Sequence, residues 1–237
     1  MRKARKQAEK FNVDKNLIER IDKCERSRQH TLDLSDLDIS CWPIEVLGFA
    51  NLKVLKASKN KFVEISSLQH FRLIEQLDMS RNLLTSISNI KFSTLHDLRI
   101  VDFSWNHIDV LPDELSKLPL LEFLYLSHNE LRTIPACFVE LRSLQVVDLS
   151  YNNIKVLGDQ FERMINLHSL NLTGNSELDV DGLPIRTRRL HEKQQLLRSK
   201  SERRALIQRA LGIRNNVLQK EQSMIMEAQS LPGNNFP

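Results

Sequence analysis

The chain has 237 residues, enough for one domain with appendages, and 41% of them are hydrophobic with only six glycines, which excludes a disordered or collagen-like polymer. Its formal charge is +4, unevenly spread: residues 1–30 carry ten Lys/Arg and five Asp/Glu, residues 31–183 thirteen and twenty-one, and residues 184–237 eleven and four. Three scattered cysteines, Cys24, Cys41 and Cys137, argue against a disulfide-stapled secreted domain. The first residues, Met1-Arg2-Lys3-Ala4-Arg5-Lys6, run on without an apolar stretch of the kind a secretory signal needs.

Residues 1–10 read as a basic arm. The next element is a helix over 14–29, with Asp14 as N-cap and Leu17, Ile18, Ile21 and Cys24 on one face at spacings of three and four. Placed just before the first strand, it is expected to cover the open end of the core that follows, so that 1–30 forms an arm and a capping helix.

From residue 31 one phrase recurs. Leu52-x-x-Leu55-x-Ala57-x-x-Asn60 returns as Ile74-x-x-Leu77-x-Met79-x-x-Asn82 and Leu98-x-x-Val101-x-Phe103-x-x-Asn106, and then closes on Asn129, Asn152 and Asn175. The asparagines are 22, 24, 23, 23 and 23 residues apart. Alternate apolar positions predict a short strand with Leu124 and Leu126 pointing in and Phe123 and Tyr125 pointing out. One such unit cannot bury its own face, so the units must stack into a parallel sheet with a continuous core. The asparagine amide, with donors and an acceptor, is suited to hold backbone groups inside the turn. An earlier unit, Thr31-Leu32-Asp33-Leu34-Ser35-Asp36-Leu37, puts leucine where the asparagine would stand and reads as an atypical terminal repeat. In the second half of each unit, Leu111-Pro112-Asp113-Glu114-Leu115 and Ile134-Pro135-Ala136-Cys137-Phe138 predict a short convex helix or turn started by proline. The proline-free stretches at Glu64-Ile65 and Ser86-Ile87-Ser88 predict irregular or 3-10 backbone.

These motifs resemble the intracellular leucine-rich repeat family with units of roughly 23 residues, the class that includes Ras-pathway scaffolds, over about 31–183. The two proline-free units also look like the shorter repeats of phosphatase-1 regulators and axonemal dynein light chains. The resemblance implies an α/β solenoid of about seven repeats, with a curved parallel sheet inside and short helices outside, and a non-enzymatic role in binding protein partners.

After Asn175, Leu178, Val180 and Leu183 complete a last partial turn, and Pro184 marks a boundary. Residues 184–229 read as a basic helical segment and 230–237 as a disordered tail. Leu190, Leu197, Leu211, Leu218 and Ile225 fall on a seven-residue interval, but Arg204 interrupts it and the second seam is mostly polar, too weak for a coiled coil. The segment either folds back as a cap or offers a basic amphipathic helix to a partner.

Several short motifs dissolve in this frame. Arg99-Ile100-Val101-Asp102-Phe103 has the letters of a phosphatase-1 docking peptide, but Val101 and Phe103 are inward strand positions. Asn171-Leu172-Thr173 is a glycosylation pattern inside a strand. The histidines are dispersed, no zinc spacing or phosphate loop occurs, and neither catalysis nor a cofactor is expected.

The informative letters are the outward ones. Trp105, His128 and Tyr151, read as outward strand positions, should form a row on the concave face, with Ile100, Phe123, Val146 and Tyr125 beside it and Asp102 and Asp148 at its margin. These residues are the candidate contact for a protein partner. The structural asparagines are Asn60, Asn82, Asn106, Asn129, Asn152 and Asn175. The rival reading is a regulatory subunit or adaptor acting through its basic C-terminal helix, or an electrostatic binder of nucleic acid or anionic membrane. A monomer in the cytoplasm is expected, with nucleus or cilium as alternatives.

Overall fold

A computed structural model describes residues 15–27 and 30–196. The expected N-cap Asp14, the basic arm and everything after residue 196 lie outside the described residues. The architecture below belongs to the unit that ends at Gln194.

Helix α1, Lys15–Ser27, leads into seven strands: β1 Thr31–Asp33, β2 Val54–Lys56, β3 Gln76–Asp78, β4 Ile100–Asp102, β5 Phe123–Tyr125, β6 Val146–Asp148 and β7 Ser169–Asn171. They form one parallel sheet in sequence order. The register is constant, Val54 facing Gln76, Ile100, Phe123, Val146 and Ser169 in turn. The middle residue of each strand is buried and in β1 to β6 its neighbours are not, as period-two alternation requires. Val101 and Phe103 are fully buried, so the docking-peptide letters are core.

Each strand is only three residues long, because 22 to 24 residues must go out, turn twice and return. The return carries a single helical turn. 3-10 turns occur at Val46–Gly48, Ser66–His70, Phe92–Thr94, Asp113–Lys117 and Ala136–Glu140, and one α-helical turn, α2, at Gln160–Arg163. Prolines 112 and 135 precede two of the 3-10 turns, yet the α-helical turn arises in a unit without proline. What the turns share is an apolar anchor: Val46, Leu68, Phe92, Leu115, Phe138 and Phe161 are all fully buried, one per unit. They close the core from the convex side.

The asparagines are what bind unit to unit. Asn129 Oδ1 accepts the Ile108 N–H at 3.0 Å, while Nδ2 donates to Phe103 O at 3.0 Å and to Leu126 O at 3.1 Å. Two of these three partners belong to the preceding unit. Asn60, Asn82, Asn106, Asn152 and Asn175 repeat the arrangement one unit apart. Leu37 occupies the first such position, in the repeat that α1 precedes. Its own N–H goes to Asn60 Oδ1 at 3.1 Å.

Both ends of the sheet are closed by side chains that stand in for missing strands. At β1, the Arg20 guanidinium of α1 donates to Asp33 O and Ser35 O at 3.2 and 2.8 Å. The equivalent carbonyls of the next unit, Lys56 O and Ser58 O, receive the backbone N–H groups of Leu34 and Asp36. Leu17 and Cys24 of α1 join the core beneath. After Leu178 and Leu183 complete the core, helix α3, Ile185–Leu196, crosses the other end. Arg186 reaches the carbonyls of Phe161, Glu162, Ile165 and Leu167, and Thr187 Oγ1 donates to Glu162 Oε1 at 2.8 Å.

Candidate functional site

The concave face carries three cross-sheet rows. The first is the leading residue of each strand, with Ile100, Phe123 and Val146 at its centre, all half-buried. The second is the last residue of each strand, Lys56, Asp78, Asp102, Tyr125, Asp148 and Asn171 in register. The third is the row of Trp105, His128 and Tyr151, and here the structure corrects the sequence reading. These residues are not in strands. The strands end three residues earlier, and Lys59, Arg81, Trp105, His128, Tyr151 and Gly174 all adopt left-handed backbone, with φ between 54° and 58° for the five that are not glycine. Asp36, in the same column, does so before Leu37, so the turn belongs to the repeat and not to the asparagine alone. The asparagine uses the turn: its Nδ2 reaches back to the carbonyl three residues upstream, as Asn106 does to Phe103 O at 2.9 Å. The inter-repeat ladder continues through it, with Trp105 N–H on Ser127 O and His128 N–H on Ser150 O.

Because the turn repeats, the side chains it projects repeat too, and they stack. The rings of Trp105 and His128 lie 3.7 Å apart at 15°, and those of His128 and Tyr151 4.4 Å apart at 10°. The Arg81 guanidinium covers the outer face of Trp105 at 4.5 Å, and Tyr151 lies over Gly174 at the other end. Trp105 and Tyr151 remain 44% and 53% exposed, so residues up to 196 do not cover them. Burial pushes the His128 imidazole below its usual pKa, Asp148 opposes this and Arg81 adds to it. The stack is therefore uncharged between Arg81 and Gly174 at neutral pH.

The acidic row has an internal job that the letters alone concealed. Asp78, Asp102 and Asp148 each accept, through Oδ1, both the N–H and the hydroxyl of the serine two residues on, Ser80, Ser104 and Ser150. Each pair holds the strand end into the left-handed turn. Asn171 takes the last place in the row, donating to Asp148 Oδ1 at 3.0 Å, and is buried. Burial pushes the Asp102 carboxyl up to about 6, the Ser104 hydrogen bonds oppose it, and Asp78 and Asp148 add to it. The Tyr125 hydroxyl is likewise pushed well above its ordinary range by burial, then by Asp102 and Asp148.

Among the described residues no group of three His, Cys, Asp or Glu is placed to hold a metal ion. No helix among them is long and apolar enough to cross a membrane.

A leucine-rich repeat family model matches residues 77–131 and 134–176. Among curated proteins, a putative disease resistance protein of Arabidopsis thaliana is 31% identical over 100 residues, covering 41% of this chain and 11% of its own length. A flightless-1 homolog of Caenorhabditis elegans is 32% identical over 107 residues, 44% of this chain and 8% of its own. Mouse Tsukushi is 45% identical over 58 residues, 24% of this chain and 16% of its own. The chain thus matches only a small part of each of these relatives. A solved leucine-rich repeat protein of Leptospira interrogans superposes with a TM-score of 0.57 at 27% identity, over 60% of this chain and 36% of that one. An internalin of Listeria monocytogenes does so at 0.53 and 20% identity, over 63% and 46%, a likeness of fold alone. The asparagine-bonded repeats and these matches together show a leucine-rich repeat solenoid.

Proposed function

We propose that this protein is a non-enzymatic binding scaffold that engages a protein partner on its concave face, centred on Trp105, His128 and Tyr151 with Ile100, Phe123, Tyr125 and Val146 beside them. The observation that carries the reading is the stacked aromatic row. Its members stand on left-handed turns where the fold makes no demand on side-chain size, yet they are large and mutually ordered, and Trp105 and Tyr151 are exposed. Rigid aromatic side chains already fixed in place lose little entropy on contact, which is what an interface anchor needs. The relatives and the fold support the general role, and the cytoplasm and a monomeric state go with this proposal as its expected setting. The test is Trp105→Ala with Tyr125→Ala. Neither residue contributes a core contact that the array depends on, so the melting temperature should stay close to wild type while partner recovery in quantitative affinity purification is lost. A double variant that keeps both stability and its full partner set would move the binding site elsewhere.

A further inference from the structure

The concave face is charged in a selective way. On the residues just before the strands, charges are paired across repeats: Lys53 with Glu75 at 3.1 Å and Arg99 with Glu122 at 2.6 Å. One strand-length further on, Asp78, Asp102 and Asp148 form no ion pair with any described residue. Their hydrogen bonds to Ser80, Ser104, Ser150 and Asn171 all fall on Oδ1, which leaves Oδ2 of each without a described partner. Asp102 and Asp148 stand on either side of Tyr125 in the register of β4, β5 and β6, so at ~4.8 Å per strand they lie about 10 Å apart. Between them in register stands the Tyr125 side chain. Next to this gap is the stacked row, where the Arg81 guanidinium lies over Trp105 and Lys59 stands one unit further away.

Two carboxylates flanking an aromatic ring, with apolar side chains on one flank and stacked rings on the other, suit one kind of group. A guanidinium or ammonium there would meet opposite charge on both sides and a π-face beneath, and its apolar stem would lie on Ile100, Phe123 and Val146. Arginine fits better than lysine, because its planar fork can take a carboxylate oxygen while stacking. We infer that the partner segment bound on this face is basic, with an arginine or lysine side chain seated between Asp102 and Asp148 against Tyr125. This rests on the proposed concave-face function and adds to it the chemistry of the partner. The raised pKa of Asp102 agrees, since a carboxyl crowded by burial and by its neighbours' charge is the one an incoming cation relieves most.

The test uses the full chain and fluorescein-labelled 15-residue peptides of alternating leucine with arginine, glutamine or glutamate, followed by anisotropy. The arginine peptide should bind, and the glutamine and glutamate peptides should bind roughly tenfold or more weakly. Asp102→Asn with Asp148→Asn keeps the oxygen that accepts from Ser104 and Ser150, and should weaken the arginine peptide roughly tenfold without changing the glutamine peptide. Glu64→Gln with Glu114→Gln removes the same charge from exposed positions elsewhere and should bind like wild type. Equal binding of all three peptides, or an equal loss in the Glu64/Glu114 variant, would overturn the inference. So would a photoreactive benzoylphenylalanine at position 123 that crosslinks only to this same chain. The two levels separate cleanly. If Trp105→Ala with Tyr125→Ala loses its partners while the Asp102/Asp148 variant retains them, the platform stands and the cation reading falls. If both variants retain them, the platform falls as well.

Discussion

His191 Nδ1 accepts the backbone N–H of Leu172 at 3.2 Å, in the place where every earlier repeat uses a carbonyl of the following strand. The series runs Leu34 to Lys56 O, Ala57 to Asp78 O, Met79 to Asp102 O, Phe103 to Tyr125 O, Leu126 to Asp148 O and Leu149 to Asn171 O, and it ends on an imidazole. An N–H can only donate, so Nδ1 must be unprotonated. Burial lowers the His191 pKa below 6.5, against a small opposing effect of Glu192.

A depressed histidine pKa has a definite sign. The neutral form is the one the fold prefers, so the stabilisation is complete above the unfolded value of 6.5 and is lost as pH falls through the lower folded value. His191→Gln keeps an acceptor but does not titrate. Between about pH 7.5 and pH 5 the wild type should lose more melting temperature than His191→Gln. Parallel pH profiles would show that the imidazole does not hold Leu172.

Asp102 titrates with the opposite sign. Its folded pKa of about 6 lies above the unfolded 3.8, so its contribution is most favourable below 3.8 and is lost as pH rises through 6. Asp102→Asn should therefore stabilise at pH 8, on the order of 1 kcal/mol once solvent screening is allowed for, and do nothing below pH 3.8. Chemical denaturation of both proteins at the two extremes measures it. A loss of stability at pH 8 would mean that the Ser104 hydrogen bonds outweigh the crowding of charge.

Asn129→Ala should cost about 1–3 kcal/mol for each backbone group it orphans. Those groups are the Ile108 N–H and the Phe103 and Leu126 carbonyls, all buried. Lys117→Ala, at an exposed position, should cost under about 0.5 kcal/mol. Urea denaturation of the two variants side by side gives the comparison, and similar midpoints would contradict the bridging role of the amide.

Gly174 sits under the Tyr151 ring: a Cβ there would come within 2.6 Å of Tyr151 Cδ1, at a φ of +82°. Gly174→Ala should destabilise by roughly 1–3 kcal/mol through collision and strain together. Adding Tyr151→Ala should recover the collision but not the strain. Full recovery in the double variant, or none, would separate the two causes by calorimetry.

The repeat, the register and the inward letters were legible because a three-residue strand with one buried position leaves a spacing that survives in the sequence. The left-handed turn was not, because tryptophan, histidine, tyrosine, lysine and arginine share no backbone preference that would announce it. Only Gly174, in the same column, hinted at a positive φ. The Asp-x-Ser turns were not legible either, because the carboxylate and hydroxyl two residues apart in Asp102-Phe103-Ser104 act as one device only once the chain turns. Arg20 carried no signal in the helix pattern, and His191 was one of several dispersed histidines. Their roles come from the ends of a ladder, and spacing carries no mark of where hydrogen bonds run out.

That ladder has a direction. The outer edge of β7 offers what β6 offers β7, and the outer edge of β1 accepts what β2 accepts from β1, so the two edges of one molecule are complementary in register. Contact between them would be heterologous, and a heterologous contact that does not close on itself grows without limit. Arg20 and His191, carried at opposite ends by α1 and α3, thus occupy the two places where such a head-to-tail contact would have to begin.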